Sequence, residues 1–229
     1  MSVDFRKEGR ILYDEGDYAS ALEVFLSADE DDYSLDSELA YYMGLCRIRL
    51  GEHDEARELL EQVIIRDQNF IRLYQSHMLL SWLLVEAGEI EAAENQLKRV
   101  LQDGFQSPQA YSALGYCQWR QGRTEFALES YRKALALDTE NTTAVNGLGY
   151  LLAESGEDPQ EAVDLCRRAV KAAPDNMAYR DSLGWALFRI GKVAEAIRFL
   201  TEALIHRPEE KIIKEHLEAV KIHEQHRSG

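Results

Sequence analysis

Glycine sets the period of this chain. Pairs seven residues apart (Gly9/Gly16, Gly44/Gly51, Gly115/Gly122, Gly149/Gly156 and Gly184/Gly191) return every 34 to 37 residues, with Ser81/Gly88 as an imperfect copy. An alanine follows the second glycine by five residues at Ala21, Ala56, Ala93, Ala127 and Ala196, and by six at Ala162. A fixed period of this length is the signature of stacked helix pairs, none of which can bury its apolar side alone. The first glycine falls in the middle of helix A, where it costs ~0.5–1 kcal/mol relative to alanine and is reasonable only if helix B packs too close for a side chain. The second falls where helix A ends, at a position that favours positive φ. The alanine, early in helix B, admits the same close approach.

Aligned on the glycines, the chain divides into six units: residues 2–35, 37–70, 74–107, 108–141, 142–176 and 177–210. The expectation is one continuous all-α array over 1–229, because only four prolines occur and no low-complexity stretch interrupts the pattern. Hydrophobic residues make up 45% of the chain, enough for a core shared between stacked helices, and nothing alternates as a strand would. After the last unit, Pro208, Glu209 and Glu210 suit a helix start, combining a proline with acids near the positive dipole end. Ile213, Leu217 and Val220 then form one apolar stripe, so residues 211–226 are predicted to be a helix that caps the array.

The fourth unit carries Tyr111, Leu114, Gly115, Gly122, Ala127, Tyr131 and Ala134, and the sixth carries Leu183, Gly184, Gly191, Ala196, Ala203 and Pro208. This pattern strongly resembles the tetratricopeptide repeat (TPR), over about residues 2–210. The resemblance implies a right-handed superhelical α-α solenoid of about six helix pairs, with the A helices lining a concave surface that binds proteins. The segments ALGY (113–116), GLGY (147–150) and DSLGW (181–185) look like those of bacterial TPR proteins, many of them associated with the cell envelope or with large surface machines. The third unit departs from the pattern at His77, Ser81 and Val100, and follows a connection a few residues longer than the others.

In the register of the resemblance, the ninth position of each unit holds Arg10, Leu45, Trp82, Tyr116, Tyr150 and Trp185, and the twelfth holds Tyr13, Ile48, Val85, Trp119, Ala153 and Phe188. All three tryptophans fall in these two columns. The ninth position is usually small and polar in the family, so four aromatics there exceed what the fold demands. Two readings stand. The columns line a groove that takes a peptide through apolar side chains, or the rings pack on one another between repeats; the same surface would also serve to bury a second copy. The expected contact residues are Tyr41, Leu45, Trp82, Tyr116, Trp119, Arg120, Tyr150, Trp185, Phe188 and Arg189. The thirteenth position alternates in sign, with Asp14, Arg49, Glu86, Arg120, Glu154 and Arg189, and predicts a ladder of partly exposed ion pairs.

Arg6, Lys7 and Arg10 form a secondary basic cluster on the first A helix, suited to an acidic peptide or carboxyl terminus. It resembles only part of the clamp of chaperone-binding TPR domains, because the later clamp positions hold Leu45, Met78 and Trp82.

The net charge of −15 argues against nucleic acid or an anionic membrane as partner. The acidic run Asp29, Glu30, Asp31 and Asp32 reads as a surface connection without the ligand spacing of a calcium loop. Cys46, Cys117 and Cys166 are expected to be reduced core residues. The histidines His206, His216, His223 and His226 read as a solvated tail rather than a metal site. Neither a phosphate-cradling loop nor a nucleophile with its base is recognisable, so no cofactor, no metal and no enzymatic activity are expected. The amino terminus lacks the apolar core of a signal peptide and no stretch is long enough to cross a membrane, which makes a cytoplasmic protein the expectation. The expected function is a non-catalytic scaffold or adaptor binding a protein or peptide. The alternatives are a self-associating component of an envelope or motility machine, and a cytosolic chaperone for secreted subunits.

Overall fold

The computed structural model describes residues 5–27 and 36–228, and within them every regular element is a helix. The acidic run at 29–32 lies outside the described residues. The chain forms two compact units, Met1–Phe105 and Gln106–Gly229. Each is an all-α helical-repeat solenoid.

The first unit comprises α1 (Phe5–Asp14), α2 (Tyr18–Leu26), α3 (Ser37–Leu50), α4 (His53–Arg66), α5 (Phe70–Glu86) and α6 (Ile90–Gln102). The second comprises α7 (Pro108–Arg120), α8 (Thr124–Leu137), α9 (Thr142–Ser155), α10 (Pro159–Ala172), α11 (Met177–Arg189), α12 (Val193–His206) and α13 (Lys211–Ser228). The odd-numbered helices are the A helices of the repeats, and α13 stands where the next A helix would be.

Local chemistry accounts for the boundaries. Asp36, Asn69, Asn141 and Asn176 each cap a helix by accepting hydrogen bonds from its first free N–H groups. Pro108 and Pro159 sit in the first turn, behind the capping residues Ser107 and Asp158. Gly51 and Gly156 end α3 and α9 in the left-handed conformation, at φ of 81° and 73°.

Two boundaries differ from the sequence reading. The connection expected at residues 71–73 is the first turn of α5, because Asn69 caps a helix that starts at Phe70. Pro208, Glu209 and Glu210 form a turn before α13 rather than its first turn, with the Glu210 N–H donating to the Arg207 carbonyl.

The core of each unit lies between its A and B helices. Ala21, Ala56, Ala93, Ala127, Ala162 and Ala196 are all fully buried. A Cβ placed on Gly149 would stand 2.8 Å from Cys166 Sγ and 3.1 Å from the Ala162 carbonyl, so glycine there is a packing requirement. Gly44 is looser, with Leu60 at 3.5 Å. In the third repeat the departures from pattern are filled in: His77, Ser81 and Val100 are all buried, His77 Nδ1 lies 2.8 Å from Gln96 Oε1, and the Ser81 hydroxyl donates to the Met78 carbonyl. Cys46, Cys117 and Cys166 are buried free thiols. No described helix is long and apolar enough to cross a membrane.

Candidate functional site

In the first unit, the predicted contact residues are largely engaged by their own neighbours. Tyr41 belongs to the core, and its hydroxyl donates to Gln75 Oε1 at 3.0 Å. Burial is the main reason its pKa is pushed up to about 12. Leu45 is half-buried against the same core. Trp82 is 42% exposed and meets the His53 ring edge-on at 5.4 Å.

The secondary basic cluster is not free for a ligand carboxylate. Arg6 pairs with Asp36, and Arg10 reaches Glu38 at 3.5 Å while lying over the Tyr42 ring. The sequence separation of 30 and 28 residues hides these pairs, but one repeat of stacking brings them together. The acids that occupy the arginines flank the start of the next A helix, and Asp36 is also its N-cap.

In the second unit the ninth- and twelfth-position residues of α7, α9 and α11 form a near-continuous series of ring contacts. Tyr116 and Trp119 have ring centroids 5.7 Å apart, and Trp119 meets Tyr150 edge-on at 5.5 Å. Trp185 and Phe188 lie 5.3 Å apart on α11. The link between the two groups is a residue outside the predicted set: His216 of α13 stacks on Trp185 at 4.3 Å and lies 6.1 Å from Tyr150.

His216 corrects the reading of the carboxyl-terminal histidines as solvated. It is only 7% exposed, and its Nδ1 lies 2.9 and 3.1 Å from the two oxygens of Asp181, itself 4% exposed. His223 is exposed but sets its ring against Phe188. The apolar stripe of α13 (Ile213, Leu217 and Val220) is buried as the sequence predicts, and His216 lies on the same side. The spacing of Ile213, His216, Leu217 and Val220 is the one signal by which sequence alone identifies this histidine as inward-facing.

The thirteenth-position ladder does not form. Within neither unit does an ion pair join successive members of the column among the described residues. Arg120 instead donates to the Tyr116 hydroxyl at 2.7 Å and lies over that ring, and Arg49 lies over Tyr18. The guanidinium of Arg189 approaches Gly156. For partly exposed arginines, cation–π contact offers attraction comparable to a surface ion pair, about 0.5–1 kcal/mol.

A cleft of about 650 Å³ opens on the A-helix side of the second unit. Tyr116, Trp119, Tyr150 and Tyr179 contribute aromatic surface, Arg120 stands at the α7 side, and Lys211, Ile212 and Glu215 of α13 form the opposite wall. Trp185, Phe188 and Arg189 are not part of its lining; the histidines of α13 cover the first two. Burial raises the pKa of the Tyr150 hydroxyl, and Glu154 and Asp181 add to the effect. This hydroxyl therefore stays a neutral hydrogen-bonding group. The cleft carries both signs of charge, with Arg120, Arg207 and Lys211 against Asp181, Glu210 and Glu215. It is suited to a ligand held by ring surface and hydrogen bonds rather than by net charge.

TPR family models match residues 12–78, 78–142, 118–177 and 146–211. The chain belongs to the tetratricopeptide-repeat family. Among curated proteins it is 29% identical over 211 residues to the TPR repeat-containing protein PA4667 of Pseudomonas aeruginosa, across 89% of this chain and 34% of that protein. It is 27% identical to tetratricopeptide repeat protein 8 of Caenorhabditis elegans, across 78% of this chain and 33% of that one. The chain thus spans about a third of the length of these two relatives. Among solved structures, a TPR protein from Parabacteroides merdae matches with a TM-score of 0.72 at 17% identity, covering 95% of this chain and 98% of that one. YrrB, described as a TPR protein with an unusual peptide-binding site, matches with a TM-score of 0.60 at 16% identity, covering 85% and 97%. At these identities the structural likeness establishes the fold alone.

Proposed function

We propose that this protein is a non-catalytic scaffold that docks an extended peptide or a protein segment in the cleft of its second unit. The observation that carries this reading is the open cleft walled by Tyr116, Trp119, Tyr150 and Tyr179, of which Tyr116 and Tyr150 stand at the ninth position, usually small and polar in the family. Aromatic rings of this kind are the side chains most often found at binding hot spots. Peptide binding by YrrB is consistent with the reading but belongs to that protein. The three buried free thiols support a reducing cytoplasmic setting, and the ALGY, GLGY and DSLGW segments support a bacterial source.

The test is partner capture by the immobilised full chain. Trp119→Ala removes the ring at the centre of the aromatic row and is expected to weaken capture by about thirtyfold, the scale of a ~2 kcal/mol hot spot. The helical circular dichroism should be unchanged. Capture undiminished by Trp119→Ala or Tyr116→Ala removes the cleft from consideration.

Self-association, as in a component of an envelope or motility machine, is the second reading. It is favoured by the exposed Ile65, Phe70 and Ile71 around the α4–α5 connection of the first unit. Light scattering over a concentration series separates the two, since a concentration-independent monomer eliminates self-assembly. A chaperone for secreted subunits would use the same cleft as the scaffold and differs in its cargo.

A further inference from the structure

The side chains that line the cleft hold more free donors than free acceptors. Trp119, Asn146, Tyr150 and Tyr179 are among them, and the indole N–H, the carboxamide NH2 and the two hydroxyls keep access to solvent with no hydrogen-bond partner among the described residues. The Asn146 Oδ1 is shut from solvent, so the amide nitrogen is the end this side chain presents. Arg207 adds a guanidinium with no carboxylate partner among the described residues. Acceptors are scarcer. Of the lining carboxylates, Asp181 is taken by His216 and Glu215 by Lys211 at 3.5 Å, which leaves Glu210. The phenols serve in either direction.

This imbalance discriminates among the backbones that a docked segment could bring. An α-helix ties up its carbonyls internally and gives the donors nothing to bond. An ordinary extended segment brings one N–H for every carbonyl, more than these walls accept, and no strand edge exists among the described residues to take the surplus. A proline-rich segment shows a carbonyl at every residue and loses an N–H at every proline. The rings suit the same segment. Tyr116 and Trp119 are inclined at 56° and Trp119 meets Tyr150 at 80°, so none of the three lies flat on another and ring faces stay open between them. Polyproline II segments dock in grooves lined by such rings, and being already extended they lose little freedom on binding. Charge agrees: Arg120, Arg207 and Lys211 balance Asp181, Glu210 and Glu215, which leaves the cleft neutral in a chain of net charge −15. Its electrostatic complement is an uncharged segment.

We propose that the cleft takes an uncharged, proline-rich segment of a partner protein in the polyproline II conformation. Its prolines pack on the rings of Trp119 and Tyr150, and its carbonyls accept from Trp119, Asn146 and Tyr150. The proposal rests on the cleft being the docking site and adds the class of segment that it takes.

The experiment compares two blocked hexapeptides on the full chain, hexaproline and a peptide of alternating glycine and leucine. Both are uncharged, but the second keeps every backbone N–H and is not held extended. Binding is read from the indole N–H signals, with Trp82 of the first unit as the reference that stays in place. Hexaproline is expected to shift the Trp119 signal and to bind about tenfold more tightly than the glycine–leucine peptide, the scale of ordering about one residue of backbone. Tyr150→Phe keeps the ring and removes one donor, and should weaken hexaproline about fivefold, the scale of one net hydrogen bond. A glycine–leucine peptide that shifts Trp119 and binds as tightly as hexaproline, or more so, overturns the proposal but leaves the cleft as a docking site. Failure of both peptides to shift Trp119 overturns the docking site and the proposal with it.

Discussion

The two units are built from the same repeat and use it differently. The first holds 10 Lys and Arg against 23 Asp and Glu, a net charge of −13, and the second holds 16 against 18, a net −2. In the first unit the groups on the A-helix side are spent on structure. Arg6 and Arg10 pair with Asp36 and Glu38, Arg72 bridges Glu38 and Asp67, and Tyr41 and Tyr42 pack edge to face beside Phe25. In the second unit the equivalent side carries rings around an open cleft. A repeat family fixes the spacing of a surface; whether that surface is available depends on what the adjacent repeat supplies to cover it.

Several substitutions strain this contrast, the largest effect coming first. His216→Ala strips the buried carboxylate of Asp181 of its partner and removes the ring stacked on Trp185. It is expected to destabilise the second unit by ~2–3 kcal/mol, the scale of a hydrogen bond to a charged group. Hydrogen exchange should then speed up in α13 and α11 while α1 to α6 keep their protection; equal loss in both units would mean that they unfold as one. Gly149→Ala drives a methyl into Cys166 and the Ala162 carbonyl and should cost ~1–3 kcal/mol in thermal unfolding. The matching change in the first unit, Gly44→Ala, meets Leu60 at an ordinary 3.5 Å. It should be neutral or stabilising by up to ~0.5–1 kcal/mol, because alanine is the better helix residue. Destabilisation at both glycines would erase the difference in packing.

The thiols probe the interior of each unit. Burial pushes the Cys46 thiol up to about 11 and the Cys166 thiol up to about 12. An unfolded thiol ionises near ~8.5, so the unfolded chain sheds these protons first and stability falls as pH rises beyond that point. Iodoacetamide at mildly alkaline pH should label neither residue until the chain unfolds. Labelling of folded Cys46 alone would show that the first unit opens locally. A small effect is also expected from Arg6→Ala with Arg10→Ala, whose ion pairs are more than half exposed on the arginine side and stabilise the first unit by no more than ~1 kcal/mol each. A much larger loss in urea unfolding would mean that the acids they balance hold α1 in place.

The glycine and alanine periods made the helix pairs legible, because close A–B packing leaves a mark at fixed spacing. The stripe of Ile213, Leu217 and Val220 likewise marks α13 in the sequence. The site was legible in part. Tyr116, Trp119 and Tyr150 stood out by column and do line the cleft, whereas Trp185 and Phe188 stood out equally and lie under His216 and His223. Column position does not reveal which rings a later helix covers. The charge ladder failed for a related reason: alternation in sign brings opposite charges into neighbouring repeats, but each arginine had a ring or another group closer at hand.

What the sequence determined by itself was the repeat: the number of helix pairs, the positions that cannot bear a side chain, and the stripe that closes the end. These follow from local rules of spacing, capping and close approach, which act over one or two turns of helix. Tertiary structure alone decided which polar groups are paired. Asp181 finds His216 across 35 residues, Arg6 finds Asp36 across 30, and Tyr131 threads past Gly115 and Gly147 to reach a cleft built by other helices. Pairing and access are properties of neighbours brought together by packing, and the period that places those neighbours does not say which of them will be satisfied.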